Sequence, residues 1–171
     1  MSKINLRYLI LYFILYVLLQ LPILYKFSIG ENTIAFIYIG FILFFPYGIR
    51  PVTKLLTGFF TGLLIDIFTN TPGLHAGISV FIFFIRDYYL FAVMGEQDEN
   101  PNLSVYTLGL RGLIIFILPL TFLHLLLLFL IDHGTFSGFS VVLVKTLSST
   151  ALTFVSIVIL NFAITRRRER I

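Results

Sequence analysis

Cysteine is absent from this chain, and charge is scarce. Without cysteine there is no disulfide framework, no thiolate nucleophile and no iron–sulfur cluster. Only 12% of the 171 residues are charged, about half the share usual for a soluble domain. Enzyme motifs are missing too: there is no His-Glu-x-x-His, Gly-x-Ser-x-Gly, Walker A or Gly-x-Gly-x-x-Gly pattern. A non-enzymatic protein without a cofactor is expected. Asp132-His133 and His75 lack supporting ligand spacing, so no metal site is expected either.

What is present in quantity is apolar length. Hydrophobic residues make up 58% of the chain, and the mean hydropathy is +1.01. They fall in charge-free blocks, Tyr8–Tyr25 and Asn32–Ile49 of 18 residues each, Gly112–Ile131 and Thr146–Thr165 of 20 each. About 20 such residues cross a hydrocarbon core as a helix. Backbone groups in lipid must be satisfied internally, and no strand-length alternation suggests a barrel. The expectation is an all-α polytopic integral membrane protein, a single domain over 1–171. Its six transmembrane helices fall at about 8–25, 33–49, 55–70, 74–93, 112–131 and 139–165. The third and fourth form a short hairpin about the turn Asn70-Thr71-Pro72-Gly73, either spanning fully or re-entrant. Bulky residues over Gln20–Lys26 offer no signal-peptidase site, so the first run is expected to stay as a helix.

The net charge of +4 does not point to nucleic acid, because the cations flank apolar runs. With both termini cytoplasmic, Lys3, Arg7, Arg50, Lys54, Arg111, Arg166, Arg167, Arg168 and Arg170 lie inside, and Lys26 alone flanks a span outside. An even number of crossings follows. The Arg-rich tail reads as a topology anchor against anionic lipid, and Gly95–Leu110 as a hydrophilic cytoplasmic loop.

Charges within the spans are costly unless paired or wet. At about 1.5 Å per residue, Asp66, His124 and Lys145 each fall within roughly 10 Å of the outer ends of their helices. An Asp66–Lys145 pair with His124 nearby is expected to lock the hairpin against the last helix, a proton or substrate pathway being the other reading. Arg86 and Asp87 are adjacent on a helix, so they should seek different partners or snorkel. Gly58 and Gly62 form a Gly-x-x-x-Gly pattern suited to close helix packing, within the chain or between two copies.

Gly58-Phe59-Phe60-Thr61-Gly62-Leu63-Leu64-Ile65-Asp66, followed by Pro72-Gly73-Leu74-His75-Ala76, resembles the signature of the rod shape-determining protein MreD family. Arg86-Asp87 and the acidic loop lie outside that resemblance. The resemblance implies a non-enzymatic scaffold of the bacterial cytoplasmic (inner) membrane. Its partners would be an MreC-like protein and, through it, MreB, RodA and the transpeptidase that builds side-wall peptidoglycan. That family is similar in turn to the six-helix substrate-binding subunits of energy-coupling-factor transporters, which implies the competing role of a small-molecule binding or transport subunit.

Overall fold

The computed structural model of the chain describes residues 6–21, 28–29, 33–94, 110–134 and 138–168. Lys3, Lys26, most of the acidic loop and the last residues of the Arg-rich tail lie outside them. The central hairpin follows from its punctuation. Arg50 is extended and Pro51 takes the first helical position, where a missing N–H costs nothing. From there a helix, here α3, runs Pro51–Thr69 and ends on Asn70 in the left-handed region (φ 56°). Gly73 at φ 84° completes the reversal, and α4 runs Leu74–Met94. Two longer helices follow, α5 over Leu110–His133 and α6 over Phe139–Arg168.

Within these four, residues 51–69, 74–93, 111–133 and 139–162 are long and apolar enough to cross a membrane. The shortest is 19 residues, about 28 Å of helix, close to a hydrocarbon core of about 30 Å. The hairpin arms are therefore of spanning length, not short. Outward faces are apolar: Phe60 and Ile67 of α3 and Val144 and Ile159 of α6 are each more than 60% exposed. Large apolar residues exposed on each of these four helices suit lipid, not water.

The first two expected spans differ from expectation. The first is helical as α1, Leu6–Phe13, and a π-helical turn over Ile14–Leu18; residues 22–27 lie outside the described ones. The second, expected as a helix over 33–49, is not one. It begins in a two-residue strand (β2, Thr33–Ile34) paired antiparallel with β1, Ser28–Ile29. It then turns into α2, only Ile39–Leu43, and unwinds before Pro51. Ala35–Phe45 is buried at every residue. Six spans are thus not what the described residues form; four helices of spanning length enclose an apolar, largely irregular segment. The run is hydrophobic because protein covers it, and hydropathy does not distinguish burial in protein from burial in lipid.

Candidate functional site

Non-helical backbone inside a membrane protein must find hydrogen-bond partners within the protein. The polar residues of the apolar helices provide them here. On α6, the Ser149 hydroxyl accepts the Ile34 N–H (3.3 Å) and the Thr153 hydroxyl accepts the Phe36 N–H (2.9 Å). Gln20, fully buried, donates to the Ala35 carbonyl (2.9 Å) and accepts the Tyr38 N–H (3.2 Å). Arg86 of α4 closes the other end. Its Nε and Nη2 donate to the Leu43 carbonyl at 3.0 and 2.8 Å, and Nη2 also to that of Phe45. Arg86 therefore holds the carbonyls at the C-terminal end of α2, where helix carbonyls have no intrahelical donor. By contrast, Thr57, Thr146 and Ser156 bond carbonyls of their own helices four residues back.

The turn end of the hairpin is organised by Asp66, 3% exposed. Its Oδ1 accepts the His75 N–H (2.9 Å), the Thr71 hydroxyl (3.0 Å) and His75 Nδ1 (2.9 Å); Oδ2 accepts the Ala76 N–H (3.0 Å). Two of these donors are amides in the first turn of α4, so a carboxylate from the end of α3 caps the next helix. The burial of its charge is offset by four donors and the positive end of the α4 dipole. The Asp66 backbone carbonyl also accepts the Thr71 N–H (3.2 Å), fixing the turn from the other side.

Gly62 and Gly58 let α3 approach α4 closely enough for this. A Cβ on Gly62 would lie 2.5 Å from Ala76 Cα and against the His75 carbonyl; one on Gly58 would lie 2.5 Å from Phe83 Cδ2. The Gly-x-x-x-Gly face is thus occupied within the chain. Pro72 and Gly73 sit exposed in the turn.

His124 of α5 meets the buried segment through the Tyr38 hydroxyl, 2.7 Å from Nε2. The Tyr38 ring packs edge-on against both His124 and His75, with centroids 5.5 and 6.0 Å apart. Asp66, His75, Tyr38 and His124 therefore form one buried polar cluster joining α3, α4, the irregular segment and α5. Lys145 is not part of it. Its ammonium lies 4.6 Å from the Phe129 ring centroid, a cation–π contact. The expected Asp66–Lys145 pair does not form, because the turn brings α4 amides to Asp66 first.

At the opposite end of the hairpin, Asp87 Oδ2 pairs with Lys54 and Oδ1 with Arg86 Nη1 (2.7 Å). Arg86 and Asp87 do share a bond, contrary to the expectation from helical spacing, since the long guanidinium folds back along its own helix. Arg86 is 0% exposed and does not snorkel. Beside Lys54 and Asp87 opens a cavity of about 330 Å³, walled mainly by Tyr47, Leu55, Phe83, Phe84, Tyr88 and Phe91.

Sequence reasoning found Asp66, Arg86 and His124 as buried polar residues but missed Gln20, Tyr38, Ser149 and Thr153. Ser149 and Thr153 stand four apart on one helix face, and Pro46 and Gly48 interrupt the apolar run they serve. Those were the available signals. No known family model, no curated protein and no solved structure matches this chain.

Proposed function

We propose that this chain is a non-enzymatic scaffold of the bacterial cytoplasmic membrane, of the MreD kind. It would work by helix and loop contacts with an MreC-like protein and, through it, with MreB, RodA and the transpeptidase partner. The observation that carries this reading is the hairpin at 58–76. The residues that resemble that family, Gly58, Gly62, Asp66 and Gly73, are the ones that close its two helices on each other. A second support is how the buried polar groups are used. Asp66, Gln20, Ser149, Thr153 and Arg86 bind backbone of their own chain, an arrangement that builds a rigid body and activates no nucleophile. Depletion in a rod-shaped bacterium is the test: cells should round and swell. Cells that keep their rods refute the scaffold.

One observation favours a small-molecule binding or transport subunit instead. His75 Nε2 and His124 Nδ1 are buried around Tyr38 with no protein hydrogen-bond partner among the described residues. Convergent polar atoms in an apolar interior are what a ligand pocket uses for specificity. That reading expects unchanged cell shape and a growth requirement for the transported compound on depletion.

A further inference from the structure

We propose that the cavity between the first half of α3 and the last half of α4 binds one phospholipid of net negative charge through its phosphate. The inference stands apart from the scaffold reading, since it rests on the other end of the hairpin.

Charge comes first. The Lys54 ammonium lies on the cavity wall with one partner, Asp87, and Asp87 is shared with Arg86. Two of the three Lys54 N–H donors thus stay available. Arg50 stands exposed one residue before Pro51, itself a lining residue. The first turn of α3, a helix of 19 residues, opens at the same place, and its free amides add positive potential. Among the described residues, Asp87 is the one acidic residue of the lining. Among the described residues, Arg50, Lys54 and Arg86 outnumber Asp87, an excess of positive charge at a hairpin end, where a phosphate would sit.

Shape decides what carries that phosphate. Phe84, Tyr88 and Phe91 form one wall and are 58%, 71% and 50% exposed on the outward face of α4. A soluble anion has no use for such a wall, whereas an acyl chain running along α4 covers it. The volume, about 330 Å³, lies at the lower end of the ligand-sized range, about 300–1,000 Å³. A phosphate with its glycerol fits inside, with the tails left outside in the bilayer. Lys54 and Arg50 meet the phosphate, and the Tyr47 and Tyr88 rings flank the glycerol region.

The full chain, purified in a neutral detergent, is titrated with phosphatidylglycerol or with phosphatidylcholine of the same chains. Lipid retention is read by native mass spectrometry and stability by thermal unfolding. One phosphatidylglycerol per chain should be retained, about tenfold more tightly than phosphatidylcholine, with a raised unfolding midpoint. Lys54→Gln and Arg50→Gln should each abolish most of that preference, and Asp87→Asn should keep or increase it. Arg50 is exposed and outside the ion pair, so its variant tests the idea even where Lys54→Gln fails to fold. Tyr88→Ala should weaken retention of both lipids. Equal retention of the two lipids by the natural chain overturns the proposal. So does an unchanged preference in Arg50→Gln and Lys54→Gln, or a rise in midpoint with inorganic phosphate as large as that with phosphatidylglycerol.

Discussion

Asp66 shows how far a residue can be read from sequence alone. Its position in an apolar helix marks it as buried and in need of a partner. Which partner it finds depends on the turn that follows. Asn70 in the left-handed region and Gly73 at positive φ reverse the chain so tightly that the α4 amides arrive before any side chain of α6. The two possibilities separate by mutation. Asp66→Asn should lower stability by about 1–3 kcal/mol, because charge-assisted bonds to buried donors are lost. Lys145→Met should cost about 1 kcal/mol or less, the worth of a cation–π contact whose cation is only partly buried. Thermal unfolding of the double variant should show the two effects adding, with no rescue. A coupling of more than about 1 kcal/mol would restore the Asp66–Lys145 pair. The same residue-scale logic applies to α6. Thr153→Val keeps the shape but removes the acceptor of the buried Phe36 N–H, so it should cost about 1–3 kcal/mol. Ser156→Ala breaks only a bond within its own helix and should stay within about 0.5 kcal/mol of the natural chain.

At the scale of elements, α3 to α6 were legible because an apolar run of about 20 residues has few alternatives in lipid. The hairpin's close packing was legible from the spacing of Gly58 and Gly62, though not which surface they would meet. The irregular segment was not legible. Ile39, Phe41, Phe44 and Phe45 are as hydrophobic as any membrane-spanning residue, and they are covered by protein. The signs against a helix there were small: Pro46, and Gly48, which the structure holds at φ 79°. The small residues of the hairpin give the sharpest test at this scale. Gly62→Ala places a Cβ against α4 backbone that has no flexible end to move, and should cost about 1–3 kcal/mol. Gly77, also in a helix, has open space where a Cβ would go, with nothing within 4 Å. Gly77→Ala should therefore stabilise by about 0.5–1 kcal/mol through helix propensity. Comparing the two unfolding midpoints checks both; equal effects would mean that α3 and α4 do not touch along this face.

For the whole molecule, four helices of spanning length in sequence fix which ends share a side. The start of α3, the end of α4, the start of α5 and the end of α6 fall together; the turns at 70–73 and 134–138 fall opposite. The first group carries Arg50, Lys54, Arg111 and Arg166–Arg168 against Asp87, while the second carries Asp66 and Asp132 against Lys145. Cations held near span ends are retained in the cytoplasm, so the basic end should face inward and the hairpin turn outward. The absence of cysteine makes this unusually easy to measure, because any single cysteine introduced is unique. Asn70→Cys, exposed in the turn, should react with a membrane-impermeant maleimide added to intact spheroplasts. Val52→Cys, 67% exposed at the start of α3, should react only after the membrane is opened. The reverse pattern would invert the molecule. It would also turn the Lys54–Asp87 cavity to the outer leaflet, leaving the Asp66–His75–Tyr38–His124 cluster on the cytoplasmic side. Labelling of both positions from outside would mean that α3 does not cross at all. The orientation therefore decides which leaflet would supply a lipid to the proposed site and which face of the hairpin would be open to a partner in the cytoplasm.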